Sequence, residues 1–170
     1  TFCVVNERIY IKKFGNVAEN KTCTPFVELQ LGGRDHPSNV GAKAVRCSET
    51  ENLRYVSHCI KGDALTVTQA NELCEVTTRF RAFEDTNAVQ VSTEVKYVFD
   101  ENITVELLTS FVLGDLFGGR KNADKTYFTK FTQGHHCECQ PRRFSLEQYG
   151  FNAYVDGGEK CLTYKNIGCW

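Results

Sequence analysis

Val89-Gln90-Val91-Ser92-Thr93-Glu94-Val95-Lys96-Tyr97-Val98-Phe99 alternates apolar and polar residues through most of its length. Successive side chains of a strand point to opposite faces, so this period of two describes a strand buried on one side. The residues are β-branched and aromatic, the types that fit a pleated surface. Working outward, Val76 to Phe83 and Leu65-Thr66-Val67-Thr68 repeat the pattern. Further back, Phe26-Val27-Glu28-Leu29-Gln30-Leu31 places Val27, Leu29 and Leu31 on one face, and Ile9 and Ile11 alternate with Tyr10 and Lys12. Turn signals separate the runs: Gly32-Gly33, Lys61-Gly62-Asp63, Asp85-Thr86-Asn87, Asp100-Glu101-Asn102 and Gly118-Gly119. About eight strands are expected before residue 117, in an antiparallel β-sandwich rather than a parallel α/β sheet. Tyr10, Phe26, Phe80, Phe83, Tyr97 and Phe99 are expected in its core. Helix is scarce, and the best candidate is a short one over Thr66 to Cys74.

Composition changes after Phe117. Gly118-Gly119-Arg120-Lys121-Asn122-Ala123-Asp124-Lys125 is polar and glycine-rich, and residues 120–170 carry 8 Lys and Arg against 5 Asp and Glu. That segment has a net charge of +3, so residues 1–119 carry −4 of the chain's −1. We expect a β-sandwich domain over 1–117 and a small, disulfide-rich basic module over 118–170.

The chain holds nine cysteines, at positions 3, 23, 47, 59, 74, 137, 139, 161 and 169, and no methionine. Without Met the first residue reads as a product of processing. Cysteine-rich processed chains belong to the oxidising secretory route, where Cys3, Cys23, Cys47, Cys59, Cys74, Cys137, Cys139, Cys161 and Cys169 would enter disulfides. No CxxC spacing occurs, so zinc-ribbon and thioredoxin-type readings fail. With nine thiols one is left over, for an intermolecular bridge that makes a disulfide-linked dimer or for a partner outside the segment. Each bridge would add about 2 to 4 kcal/mol to a core that a chain of this length can already build. Asn20-Lys21-Thr22 and Asn102-Ile103-Thr104 are sequons, which makes Asn20 and Asn102 the expected glycan sites of a secreted surface.

Charge excludes some partners. With 20 basic against 21 acidic residues there is no electrostatic footprint for nucleic acid. No run of eighteen apolar residues is present to cross a bilayer as a helix.

His135-His136-Cys137-Glu138-Cys139 brings together four residues of zinc-binding type. Neighbours on a strand point apart, however, and tetrahedral sites draw ligands from separate elements. An oxidised cysteine pair beside solvated histidines is the expected reading, with no metal and no cofactor. GxSxG, P-loop, GxGxxG and HExxH motifs are all missing, and no cysteine has a protease-like setting, so no catalytic residue is nominated. An alternative is a secreted carrier or scavenger with a lipocalin-like ligand cavity. Such barrels place a Gly-x-Trp near the first strand, whereas the single Trp here is Trp170.

Gln140-Pro141-Arg142-Arg143-Phe144 has the composition of an interface: a restrained backbone, two forked guanidinium donors and an aromatic ring. Cys139-Gln140-Pro141-Arg142, Tyr149-Gly150-Phe151 and Gly157-Gly158-Glu159-Lys160-Cys161-Leu162, behind alternating strands such as Phe26 to Leu31, resemble the N-terminal region of Delta/Serrate-type Notch ligands. That family joins a C2-like β-sandwich to a small cysteine-rich DSL module. The resemblance implies a receptor-binding loop containing Arg142, Arg143, Phe144, Tyr149 and Phe151. The segment has four cysteines where the family's module has six, and Cys137 and Cys139 are one residue apart instead of three. The expected function is thus a secreted extracellular glycoprotein that binds another protein, non-enzymatically, as receptor ligand or sequestering binder.

Overall fold

The computed structural model describes residues 1–15, 24–34, 48–86, 88–113, 124–132 and 140–148, with backbone alone for 128, 130–132 and 140–142. Its secondary structure is mainly β, with antiparallel pairing throughout. The strands before residue 117 are β1 (Phe2–Val5), β2 (Arg8–Ile11), β3 (Leu29–Leu31), β4 (Arg54–Lys61), β5 (Ala64–Ala70), β6 (Cys74–Ala82), β7 (Val89–Tyr97) and β8 (Val105–Leu108). Beyond it come β9 (Tyr127–Thr132) and β10 (Gln140–Ser145). One short helix, α1 (Ser48–Asn52), precedes β4.

The long alternating runs form a four-stranded sheet in the order β4-β5-β6-β7. Its register puts Leu65, Phe80 and Val91 in one row and Val67, Thr78 and Thr93 in the next. Val67, Val76 and Thr78 are fully buried, while Glu75, Arg79, Arg81, Glu94 and Lys96 occupy the opposite face in solvent. Salt bridges on that outer face, Arg79 Nη1–Glu94 Oε2 at 2.9 Å and Arg81 Nε–Asp63 Oδ2 at 3.0 Å, are exposed and contribute little.

Two local devices set the hairpins. Asn6 and Glu7 both have positive φ, 49° and 61°, which gives the two-residue loop between β1 and β2 the twist of a type I′ turn. Gly62, at φ +57°, opens the two-residue loop between β4 and β5.

The helix expected over Thr66 to Cys74 is not formed. β5 runs to Ala70, the chain reverses, and β6 starts at Cys74. Asn71 forces the reversal, its Oδ1 accepting from the amides of Leu73 at 2.9 Å and Cys74 at 2.8 Å. Such a side-chain turn competes with helix for the same amides. The β-branched Thr66, Val67 and Thr68 favour the strand that precedes it.

A single apolar cluster draws on three sources: Ile9 and Ile11 of the β1–β2 hairpin, Phe26, Val27, Leu29 and Leu31 around β3, and Val67, Val76 and Phe80 of the sheet. Rings fill its centre, with Phe26 and Phe80 edge to face at 5.7 Å and Phe14 stacked on Phe111 at 5.5 Å. The face expected from Val27, Leu29 and Leu31 is buried as read. Phe26 and Glu28 are buried as well, so the segment leading into β3 is enclosed on both sides. Of the other aromatics expected inside, Tyr10 and Tyr97 are half-buried, and Phe83 and Phe99 are exposed. Both exposed rings fall just past the ends of their strands, where the sheet no longer backs them.

β3 pairs with β8 through Leu29 and Leu108, and Glu28 N donates to Thr109 Oγ1 at 2.8 Å. Helix α1 docks on this ribbon through Thr50, whose Oγ1 accepts from Leu29 N at 2.9 Å and donates to Leu29 O at 3.1 Å. Glu49 and Glu51 in its first turn suit the positive end of the helix.

Candidate functional site

Of the nominated interface residues, Arg142, Arg143 and Phe144 lie on a strand and not on a loop. β10 pairs with β9 in a two-stranded ribbon, with Arg142 opposite Lys130, Arg143 opposite Thr129 and Phe144 opposite Phe128. Pro141 stands opposite Phe131, a position a two-stranded ribbon tolerates because one side of each strand is an edge. Strand alternation puts positions 143 and 144 on opposite faces of the ribbon.

Arg143 is exposed, and its guanidinium carbon sits 4.0 Å from the centroid of the Tyr127 ring. Tyr127 faces Ser145 in the register, so Arg143 reaches it along the diagonal of the ribbon. The stacked pair fixes a planar, permanently charged donor over a half-exposed ring. Phe144 is half-buried, and Ser145 and Leu146 beyond it are buried. The ribbon ends in a turn in which Ser145 N donates to Gln148 Oε1 at 2.8 Å and Gln148 N donates to Ser145 Oγ at 3.2 Å. Tyr127 was not nominated from the sequence. Its signal was the aromatic and β-branched content of Tyr127-Phe128-Thr129-Lys130-Phe131, hidden by the reading of 118–125 as a simple boundary. Tyr149 and Phe151 lie outside the described residues, as does the His135–Cys139 string.

Asn102 is exposed in the connection between β7 and β8, as a glycan acceptor must be. Asn20 lies outside the described residues.

Cys3, Cys59 and Cys74, which the sequence reading assigns to disulfides, carry free thiols. They face different ways. Cys74 is in the core, where burial and the nearby Glu49 carboxylate push its thiol up. A thiol so placed is a poor nucleophile at neutral pH. Cys59 pairs with Thr66 and alternates with His58, whose partner is the buried Val67, so it belongs to the outer face of the sheet. Cys3 alternates with Phe2, which packs on the core. Cys23, Cys47, Cys137, Cys139, Cys161 and Cys169 are outside the described residues.

A second polar constellation gathers at the base of α1. Glu49 is buried, and its Oε1 accepts from Arg34 Nε at 3.0 Å while Oε2 accepts from Asn71 Nδ2 at 2.9 Å. Together with Asn52, Arg54 and Leu73 these residues line an open cleft of about 520 Å³. Arg54 Nη1 donates to the carbonyls of Glu51 at 2.8 Å and Leu53 at 3.2 Å. The interactions tie α1 to the β5–β6 turn and account for the burial of Glu49. Among the described residues no group of three or more His, Cys, Asp and Glu is placed to hold a metal ion. Among the described residues no helix is long and apolar enough to cross a membrane.

No protein-family model matches this chain, and neither the curated proteins nor the solved structures contain a significant match to it.

Proposed function

We propose that this chain is a secreted extracellular glycoprotein that binds another protein through the β9–β10 ribbon, without catalysis. The observation that carries the reading is the Arg143–Tyr127 stack, a pre-ordered cationic and aromatic surface in solvent. Arg and Tyr are enriched at interface hot spots, and a side chain already held in one rotamer loses less freedom on docking. In this reading the four-stranded sheet, the β1–β2 hairpin and the β3–β8 ribbon make a sandwich over 1–117. Residues 118–170 make the cysteine-rich module, as the resemblance to Delta/Serrate-type ligands implies. The packing of Phe14, Phe26, Phe80 and Phe111 supports a binder over a carrier, because these rings occupy the space an enclosed ligand would need.

The test is binding of the secreted chain to the ectodomain of a Notch-type receptor, measured by surface plasmon resonance. We expect Arg143→Glu or Tyr127→Ala to weaken the complex at least about tenfold, or about 1.4 kcal/mol, with the melting temperature lowered only by the small amount that loss of an exposed stack allows. Phe144→Ala and the paired Arg142→Glu, Arg143→Glu change are expected to act in the same direction. A wild-type chain that fails to bind removes the receptor-ligand reading. Affinity that survives all of these changes removes the ribbon as the contact surface. Non-reducing peptide mapping with N-glycosidase treatment tests the remaining parts, the disulfide framework and the glycans on Asn20 and Asn102.

A further inference from the structure

β4 is an outer strand of the four-stranded sheet, and among the described residues no strand pairs with its other side. Two observations fix which of its backbone groups face outward. The two-residue turn at Gly62 and Asp63 makes Lys61 and Ala64 a hydrogen-bonded pair, so antiparallel alternation turns Ser57, Cys59 and Lys61 toward β5 and His58 and Ile60 away from it. Across the bulge at Val56, the amide of Tyr55 keeps this outward phase and donates to Glu7 O of the β1–β2 hairpin at 2.6 Å. That contact closes the edge at one end, and the turn closes it at the other. Between them Val56 to Lys61 are exposed on both faces of the sheet, Ile60 at 68%. Ser57, His58, Cys59 and Ile60 include none of the carboxylates, lysines or prolines with which edge strands discourage pairing. β7, at the opposite edge, carries Glu94 and Lys96 and is met by the segment after β8, where Thr93 Oγ1 donates to Ser110 O.

We propose that β4 pairs with β4 of a second copy of this chain, antiparallel and about a two-fold axis at Cys59. The open stretch 57–61 has Cys59 at its midpoint, so an axis there uses all of it. His58 then lies opposite Ile60 of the other copy, and the outward amides and carbonyls of these two residues satisfy one another. Lys61 falls opposite Ser57, so no like charges meet. The groups required on one side of the midpoint are those supplied on the other, and this self-complementarity selects a second copy over an unrelated strand. Pairing joins two four-stranded sheets into one. It also sets the two Cys59 residues in a non-hydrogen-bonded pair with Cα atoms about 4.5 Å apart, within reach of a disulfide. The free thiol of Cys59 therefore reports the register.

The test is disulfide trapping of the full chain with oxidised glutathione, in which each bridge formed reduces one glutathione disulfide to two thiols. We expect a dimer on non-reducing electrophoresis, joined Cys59 to Cys59 by peptide mapping. Ile60→Pro removes an outward amide without touching the ladder to β5, and it is expected to slow trapping at least about tenfold in a chain that keeps its β circular dichroism. Ser57→Lys places a second cation opposite Lys61 across the axis and is expected to slow trapping, while adding Lys61→Glu is expected to restore it. Absence of a Cys59–Cys59 link, or a link that forms as fast in folded Ile60→Pro, overturns the proposal. A Ser57→Lys effect that Lys61→Glu does not rescue overturns the register about Cys59.

Discussion

The four-stranded sheet and the β9–β10 ribbon are both built of antiparallel strands, yet they bury very different amounts of their surface. In the sheet, one face closes on the hairpin and on β3, and Val67, Val76 and Thr78 are fully buried. In the ribbon, Tyr127 remains half-exposed and Arg143 lies over its ring in solvent. A two-stranded ribbon has no second layer of its own and is marginal by itself. The lesson is that forming a strand does not decide its burial: whether a strand becomes core or stays open to solvent depends on whether another layer covers it.

Removing a side chain from the covered region should therefore cost most. Leu29 has no exposed surface, and Leu29→Ala is expected to destabilise the fold by about 2 to 5 kcal/mol, read by chemical denaturation. A change below about 1 kcal/mol would mean that β3 is not enclosed as described. Thr50→Val keeps the shape but strips the hydroxyl from Leu29 N and O, leaving buried backbone groups unmet at a cost of about 1 to 3 kcal/mol. By contrast, Tyr127→Ala removes an exposed stack worth about 0.5 to 1 kcal/mol. Its effect on denaturation should be the smallest of the three.

Glu28 sharpens the comparison through pH. Burial in the covered region holds its carboxyl above the ordinary carboxylate range. A folded state that binds its proton more tightly than the unfolded state gains stability as pH falls. The gain is complete below the unfolded pKa of about 4.3 and is lost as pH rises through the raised folded value. Glu28→Gln should accordingly raise the melting temperature at neutral pH, with the difference shrinking as the buffer is taken below about pH 4. A difference independent of pH would show that Glu28 is solvated. Hydrogen exchange supplies the last contrast, with amides of β5 and β6 expected to outlast those of β9 and β10.

Much of this architecture was legible in the chain itself. The runs at 65–68, 76–82 and 89–97 are strands because their period of two and their β-branched residues leave few competing conformations. The burial of Ile9, Ile11, Val27, Leu29 and Leu31 follows from the same pattern. The nominated site was legible only in part: Arg143 is presented to solvent, but the Tyr127 ring it lies over comes from the neighbouring strand and was not singled out.

Tertiary structure alone decided the rest. Helix α1 has no apolar periodicity to announce it, and it is held by Thr50 on a strand 21 residues away and by Glu49 between Arg34 and Asn71. Glu28, Glu49, Thr50 and Gln69 read as surface residues, yet all four are buried, since their surroundings come from segments distant in the chain. Glu28 N meets Thr109 Oγ1 across 81 positions, and Arg143 finds Tyr127 across a ribbon whose strands are joined by residues 133–139. Local periodicity is encoded residue by residue, and so it survives in the sequence. Burial and partnership arise only when remote segments close on one another, a choice no local pattern records.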